Sequence, residues 1–333
     1  MATARHDAAP PAAALAKVRG VLAPLASLLI IVIALSFVAG PEGFRTRANW
    51  NTIIQGTAVV AILAVAETAV IIAGHIDLSV GRMLALSSVV AATVMVHHNA
   101  GIVGGIVAAL VTGLACGLIS GLLTAYGRMP AFIATLGTMG VAYGLALRVA
   151  NDANVSGVAP GFEEIALGHL GSTSSIEGIP YPLVLMVGAA AAVHLLLSRT
   201  GWGRHLYAVG GNPDAARLSG VSLRKITVTV FMLSGLMAGF AAVIHVARTG
   251  GGQPTAGVGL ELQAIAATVI GGTSLAGGVG GVFGTLIGAF LMAVIQNGCD
   301  LKNIPPHFQV IIIGCVIWLA ALYDGFRRRA STP

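Results

Sequence analysis

The residues of this chain that could do chemistry are those with carboxylate or hydroxyl groups inside an otherwise apolar sequence. Glu67 lies well within an apolar run, and Asp77 and Ser79 follow the end of that run. Their oxygens could accept hydrogen bonds from the hydroxyl groups of a polar solute. Thr273 and Ser274 supply hydroxyl groups after a second apolar run. These five residues are therefore candidates for lining a solute path.

Glu67 and Asp77 also have structural interpretations. A buried ionised carboxylate costs a few kcal/mol or more unless it is paired or hydrated, so Glu67 could instead pair with Arg82 or His75, or be protonated. Asp-x-Ser before an apolar run is typical of a helix start, so Asp77 could cap the following helix. Both interpretations stay open beside the solute path.

The sequence predicts no catalytic, cofactor or metal site. No nucleophile and base stand at a spacing that indicates a catalytic pair. His97 and His98 are adjacent in the chain, so their side chains would diverge on a helix and make a poor metal pair. The three cysteines, Cys116, Cys299 and Cys315, form no disulfide framework.

A short polar segment interrupts the apolar sequence and predicts a helix of about two turns. Asn212 can cap its first amide groups, and Pro213 suits the first helical position. Asp214 and Arg217 complement the two ends of the helix dipole, and Gly220 supplies a left-handed stop. Such a helix suits docking against a soluble partner, although an ordinary connecting loop would look similar. The candidate docking residues are Gly211, Asn212, Pro213, Asp214, Ala215, Ala216, Arg217 and Gly220.

Composition places all these residues in an all-α, polytopic membrane protein. Charged residues make up 9% of the 333 residues, against roughly 25% in soluble domains. Hydrophobic residues reach 56%, and the mean hydropathy is +0.90. The net charge of +6 does not require a nucleic-acid partner, because membrane proteins concentrate Lys and Arg in cytoplasmic loops.

About ten apolar stretches are candidates for crossing the bilayer. A spanning helix needs about 20 residues, and the eighth stretch has only about 12, so it could be re-entrant. The ten predicted spans are Val21–Ala39, Thr52–Ala73, Leu78–Val96, Ile102–Tyr126, Pro130–Val149, Pro182–Ser198, Ile226–Val246, Leu262–Thr273, Val282–Asn297 and Phe308–Leu322.

The distribution of basic residues predicts that both termini are cytoplasmic. With ten crossings, 13 Lys and Arg residues fall on the side of the termini and five on the opposite side. The five are Arg45, Arg47, Arg148, Arg248 and Lys302. The predicted organisation is a disordered basic tail over 1–20, a membrane domain over 21–324 with a cytoplasmic loop at 199–225, and a basic tail over 325–333.

Glycine spacing predicts close helix packing and a weak internal repeat. Glycines four residues apart let helix backbones approach closely in lipid. They occur at Gly113, Gly117 and Gly121, at Gly235 and Gly239, and at Gly284 and Gly288. The segments Gly74–Gly81 and Gly271–Gly278 share Gly, Leu and Gly at matching positions, which indicates a repeat unless two glycine-rich turns have converged.

Several segments together resemble the permease subunits of ribose-type monosaccharide ABC importers. They are Gly74–Gly81, Ala131–Gly137, Gly210–Gly220, Gln253–Gly257, Gly271–Gly278 and Gly284–Gly288. The resemblance runs from about residue 52 to residue 324. It implies a homodimeric ten-helix permease in the bacterial plasma (inner) membrane, with the segment around Asn212 as the coupling loop. It also implies two cytoplasmic ATPase subunits, or one tandem ATPase, and a periplasmic sugar-binding protein.

The expected function is ATP-driven import of a monosaccharide or related polyol. The chain lacks a Gly-x4-Gly-Lys-Ser/Thr phosphate loop, which agrees with ATP hydrolysis in a separate subunit. An ion-coupled secondary transporter of a small polar solute is the alternative, and it would not need the capped helix. His75, Arg82 and Glu67 depart from the family pattern, so the particular sugar is left open.

Overall fold

The computed structural model describes residues 11–38, 43–172 and 178–331. These residues form a bundle of helices with two short antiparallel strand pairs. The helices are α1 Pro11–Val38, α2 Arg47–Ile72, α3 Val80–His97, α4 Gly101–Ala125, α5 Ala131–Ala150, α6 Glu164–Leu167, α7 Tyr181–Arg199, α8 Gly201–Gly211, α9 Pro213–Leu218, α10 Leu223–Thr249, α11 Leu260–Ile270, α12 Val282–Leu301 and α13 Pro306–Ser331. The strands are β1 Val155–Ser156, β2 His169–Leu170, β3 Ile179–Pro180 and β4 Gly251–Gly252, and β1 pairs with β4 while β2 pairs with β3.

Each of the ten predicted spans falls on a helix. In the described part of the chain, seven helices are long and apolar enough to cross a membrane, namely α2, α3, α4, α5, α7, α10 and α12. Shorter apolar stretches lie at Pro24–Phe37, Leu260–Ile270 and Pro306–Leu319. The chain is therefore a multi-pass helical membrane protein.

The first and last helices extend beyond the first and tenth predicted spans. The first helix begins at Pro11 rather than at Val21, and Ala39 lies outside the described residues. The last helix continues to Ser331, beyond the predicted end of the tenth span at Leu322. Residues 1–10 and 332–333 of the predicted tails also lie outside the described ranges, so the division into tails and membrane domain stays a prediction.

The eighth predicted span is a half-length helix. α11 contains 11 residues, which correspond to about 16 Å of helix. The hydrocarbon core of a bilayer is about 30 Å thick, so α11 alone is too short to cross it. Irregular segments precede and follow α11, and backbone of this kind is tolerated at membrane depth where protein surrounds it.

The helix α2 lies at the centre of the bundle. In its most apolar stretch 83% of the residues are buried, and it contacts α7, α10, α11 and α12. The corresponding buried share is 22% in α4 and 28% in α5 and α7, although these helices are also strongly apolar. Their exposed apolar side chains suit contact with lipid rather than with water. Central and lipid-facing helices are therefore both apolar, so hydropathy detects the spans but does not show which of them lie at the centre.

Small residues allow α4 and α10 to pack backbone against backbone. A Cβ atom added at Gly113, Gly117 or Gly121 would approach the backbone of α10 closer than 3.0 Å. A Cβ atom added at Gly235 or Gly239 would meet the backbone of α4 in the same way. The predicted close packing through these glycines is confirmed.

The glycines of α12 serve the same purpose against α11. A Cβ atom at Gly284 would overlap the carbonyl oxygen of Gly271, and one at Gly288 would overlap that of Ala267. The short α11 is thus held directly on the backbone of α12. Thr268 also donates to the carbonyl oxygen of Ala64 on α2 over 3.0 Å, so α11 is fixed on both sides.

Candidate functional site

The polar segment forms the short helix α9 with the caps that the sequence predicts. Asn212 precedes the helix, and its Oδ1 accepts the amide of Ala215 over 3.0 Å. Pro213 is the first helical residue. Arg217 and Asp214 form an exposed ion pair with an N–O distance of 3.2 Å. Gly220 has φ +82°, so the predicted left-handed stop is confirmed.

The side chains of α9 divide into an inner and an outer face. Ala216 is 4% exposed and packs with Val209 and Ile226 in the body of the protein. Ala215 is exposed, and Leu218 is 87% exposed, which is unusual for a leucine at the end of a polar helix. A substitution at Ala216 therefore perturbs internal packing first, whereas Leu218 presents an apolar side chain outward.

A second helix that the sequence analysis did not predict connects α9 to the membrane helices. Thr200 caps α8 by accepting the amide of Gly203 over 3.1 Å. The indole of Trp202 donates to Thr229 Oγ1 of α10 over 2.8 Å. The hydroxyl of Tyr207 donates to the carbonyl oxygen of Gly280 over 2.9 Å. α8 is thus attached to α10 and to the segment before α12.

The two segments of the proposed repeat end their preceding helices in the same way. Gly74 and Gly272 both have positive φ, at +82° and +90°. In each case the glycine amide donates to the carbonyl three residues earlier, over 2.9 Å. The amide of the next residue, His75 or Thr273, donates five residues back over 3.0 or 3.1 Å, which completes a Schellman motif. The structural match pairs Gly74 with Gly272, whereas the sequence match pairs Gly74 with Gly271.

Glycines bring α8 into direct contact with the end of α2 and with the segment between α11 and α12. The amide of Gly278 donates to the carbonyl oxygen of Ile72, the last residue of α2, over 2.8 Å. A Cβ atom at Gly210 would overlap this carbonyl oxygen and lie 2.7 Å from the Gly278 nitrogen. One at Gly277 would lie 3.1 Å from the Gly74 Cα. We refer to Ile72, Gly74, Gly210, Gly277 and Gly278 as the glycine junction.

Three candidate path residues form a buried network with one residue that the sequence analysis missed. Glu67 Oε1 accepts the amide of Asp77 over 3.0 Å. Asp77 Oδ1 accepts the amide and the hydroxyl of Ser79 over 2.9 and 2.5 Å, and its Oδ2 accepts the hydroxyl of Ser234 over 2.7 Å. All four residues are 0% exposed, and Glu67 Oε2 has no hydrogen-bond partner. We refer to these four residues as the acid network.

The other two candidate path residues lie in the second helix break. Thr273 is fully buried, and its hydroxyl has no hydrogen-bond partner. Ser274 is 7% exposed, and its amide donates to the carbonyl oxygen of Val279 over 2.9 Å. Within the described ranges no hydrogen bond connects this pair to the acid network. A role of the five residues in a solute path stays a prediction.

His75 and Arg82 contact aromatic residues and do not pair with Glu67. His75 Nε2 lies 3.2 Å from Thr227 Oγ1, and its ring centroid is 5.7 Å from that of Phe231 on α10. The guanidinium carbon of Arg82 lies 4.1 Å from the centroid of the Tyr143 ring on α5. The structural interpretation that paired Glu67 with Arg82 or His75 is wrong, because Glu67 accepts from a backbone amide instead.

A family model described as "Branched-chain amino acid transport system / permease component" matches residues 49–321. The chain belongs to this permease family. The match includes the acid network, the glycine junction and the short helix α9, and it ends within α13. No solved structure matches the permease.

Named relatives of the permease cover almost the whole chain. The ribose import permease protein RbsC of Escherichia coli K12 is 43% identical over 299 residues, which cover 89% of this chain and 91% of that protein. The ribose import permease protein RbsC of Bacillus subtilis 168 is 39% identical over 305 residues, with coverage of 91% and 92%. The xylose transport system permease protein XylH of Escherichia coli K12 is 34% identical over an alignment of 358 residues, with 91% of each chain covered.

Proposed function

We propose that the permease is the membrane subunit of an ATP-driven ABC importer for a monosaccharide or related polyol. The ribose and xylose permeases among its relatives support this substrate class. The observation that carries the proposal is the contact between α8, which leads into the docking helix α9, and both helix breaks at the glycine junction. An outward-facing helix is thereby connected to the end of α2 and to the segment between α11 and α12.

The glycine junction offers a direct route for coupling. A force on α9 reaches α8, because only Asn212 separates the two helices. Gly210 contacts the carbonyl oxygen of Ile72 and lies close to the amide of Gly278. No space separates these backbones, so a movement of α8 toward them would displace both helix breaks. Close-packed backbones transmit small displacements because they lack compressible side chains between them. ATP binding in a separate subunit would supply that force.

The outer face of α9 would contact the ATPase subunit. Leu218 is 87% exposed and would insert as an apolar side chain into a groove of the partner. The ion pair between Arg217 and Asp214 is exposed next to it and would form part of a polar rim. The candidate docking residues Asn212, Pro213 and Gly220 would act by shaping α9 rather than by contact, and Gly211 ends α8 before it.

A second copy of the permease would pack on α5. Gly137, Gly140 and Gly144 are exposed on this helix, and a Cβ atom at any of them would meet no atom within 4 Å. The glycine stripes of α4, α10 and α12 are covered by neighbouring helices, so α5 offers an uncovered face for close helix packing. A homodimer, two ATPase subunits or one tandem ATPase, and a periplasmic sugar-binding protein complete the proposed importer.

We further propose ten crossings with both termini in the cytoplasm of a bacterial plasma (inner) membrane. The seven long helices account for seven crossings, and α1, α11 with its flanking segments and α13 account for the other three. The excess of Lys and Arg on the side of α9 supports this orientation. The docking helix would then lie on the cytoplasmic side of the membrane, where ATP is available to the ATPase subunit.

Transport by reconstituted vesicles tests the proposal. The permease is reconstituted with its cognate ATPase and binding protein, and uptake of labelled D-ribose and D-xylose is measured. Uptake that requires ATP, the ATPase and the binding protein supports an ABC importer. Uptake by the permease alone that is driven by a proton or sodium gradient would instead show a secondary transporter.

A further inference from the structure

A cavity of ≈ 330 Å³ lies in the bundle on the side opposite the docking helix. It is bounded by the start of α2, the end of α10, the start of α11 and the end of α12. α10 has 27 residues and begins soon after α9, so its far end lies about 40 Å away from α9. The volume is at the small end of the roughly 300–1,000 Å³ range of ligand pockets. It suits a small solute rather than a macromolecule.

Polar side chains with unused hydrogen-bonding capacity line this cavity. His245 Nε2 is buried without a hydrogen-bond partner. Among the described residues, the side chains of Arg248, Gln263 and Gln296 also have no hydrogen bond or ion pair. A buried polar atom is normally satisfied, because an unsatisfied one is costly, and His245 Nε2 is the buried atom among these four side chains. Gln263 is half-buried, and Arg248 and Gln296 are exposed, so these three can reach an occupant from the open side of the cavity. A polar occupant would satisfy His245 and bond to the other three side chains.

Neighbouring contacts hold the other polar residues of the cavity in place. Asn297 and Asn49 exchange two amide hydrogen bonds, over 3.0 and 2.7 Å, beneath the cavity. Gln309 donates to Asp300 Oδ1 over 2.8 Å, which fixes the carboxylate at the mouth. Asn297 and Asp300 are thus held by neighbouring side chains, whereas the other polar side chains keep their hydrogen-bonding capacity for an occupant.

The charges in the cavity favour an uncharged solute. Arg248 contributes one guanidinium and Asp300 one carboxylate, and both are exposed at the mouth. The amide groups of Gln263 and Gln296 can each donate and accept, which matches hydroxyl groups that also do both. The apolar side chains of Ile53, Val59 and Leu260 face the same cavity and suit the carbon face of a sugar ring.

We propose that this cavity is a binding subsite for a neutral monosaccharide within the permease, on the side from which the solute enters. The inference rests on the proposed function, because it assigns a place on the permease to the same class of solute. His245, Arg248, Gln263, Gln296 and Asp300 bind the hydroxyl groups. Selectivity would then depend in part on the permease and not only on the binding protein.

Gly56 allows the cavity to be probed without disturbing the packing of α2. It lines the cavity, and a Cβ atom added there meets no atom within 4 Å. Gln55 is the matched control, since it precedes Gly56 on α2 and does not line the cavity. Gly56→Cys and Gln55→Cys are made with the three native cysteines changed to alanine, and the reaction of each thiol with a membrane-impermeant methanethiosulfonate is timed in vesicles.

We expect millimolar D-ribose or D-xylose to slow labelling of Gly56→Cys several-fold and to leave Gln55→Cys unchanged. Leucine, which carries two opposite charges, should have no effect. Equal labelling of Gly56→Cys with and without either sugar would overturn the subsite. Protection by leucine alone would overturn its assignment to a neutral polyol, because Arg248 and Asp300 would then bind a zwitterion.

Transport by variants with a bulky side chain in the cavity tests the subsite independently of the labelling experiment. Gly56→Phe should reduce sugar uptake at least tenfold in the complete importer, whereas Gln55→Phe should transport like the wild type. Equal uptake by Gly56→Phe and Gln55→Phe would contradict the subsite and leave the proposed function standing. Absence of ATP-dependent uptake by the wild type would contradict the proposed function, and the labelling of Gly56→Cys would still decide whether the cavity binds sugar.

Discussion

Substitution of Gly210 by alanine perturbs the contact between α8 and the two helix breaks. The new Cβ atom would overlap the carbonyl oxygen of Ile72 and lie 2.7 Å from the nitrogen of Gly278. Ordinary van der Waals contact begins at about 3.4 Å, and the overlap with the Ile72 carbonyl oxygen is the closer of the two contacts, so α8 must move by well over about 1 Å. Both contacted atoms belong to the backbone, so no flexible side chain can make room.

The neighbouring Gly211 provides the matched control. It lies in the same helix, and a Cβ atom there meets nothing within 4 Å. Alanine is favoured over glycine within a helix by about 1 kcal/mol, so Gly211→Ala should be neutral or stabilising. Overpacking costs about 1–3 kcal/mol, which opposes this gain at Gly210. The free energies of unfolding of the two variants should therefore differ by about 1–3 kcal/mol.

Thermal unfolding of the detergent-solubilised permease and sugar uptake per ATP hydrolysed are the measurements. We expect Gly210→Ala to lower the apparent Tm and to reduce uptake per ATP several-fold, because α8 no longer rests on the glycine junction. Gly211→Ala should match the wild type in uptake and keep or raise its Tm. Indistinguishable values of both quantities for the two variants would refute the role of the glycine junction.

Three further predictions follow from the packing and the topology. Glu67→Gln keeps an acceptor for the amide of Asp77, so it should retain thermal stability, whereas Glu67→Leu should lower the free energy of unfolding by about 1–3 kcal/mol. Equal stability of both variants would refute the structural role of Glu67. Gly117→Leu should abolish stable expression, because its side chain collides with the backbone of α10, whereas the exposed Gly188→Leu should express normally. Equal expression levels of the two variants would contradict the assigned packing. Single cysteines at Ser172 and Ser331 in a cysteine-free permease should react with an impermeant reagent from opposite sides of the membrane. Reaction of both from outside would contradict the ten-crossing topology.

Composition and glycine spacing predicted most of the helix arrangement. Each apolar stretch coincides with a helix, because bilayer thickness imposes a length that hydropathy detects. The close contacts at Gly113 and Gly235 followed from their spacing, since only small residues permit such an approach. The caps at Asn212 and Gly220 were equally predictable because they depend on neighbours in the sequence.

Contacts between distant segments were not predictable from one sequence. α8 was missed because Gly201, Gly203, Gly210 and Gly211 make its sequence look like a loop, and its stability depends on tertiary contacts. Ser234 was missed as a partner of Asp77 because it lies 157 residues further along the chain. The outward position of Leu218 could have been inferred by placing the residues of α9 on a helical wheel, since Ala216 faces the body.

The most direct test of the central claim is the dependence of transport on the exposed leucine of the docking helix. Leu218→Asp places a charge on a surface that is 87% exposed in the free permease, so it should leave folding unchanged, and Leu218→Met keeps an apolar side chain as the control. We predict that Leu218→Asp loses capture of the ATPase and ATP-driven uptake at least tenfold, whereas Leu218→Met retains both. Normal capture and uptake by Leu218→Asp would contradict coupling through α9.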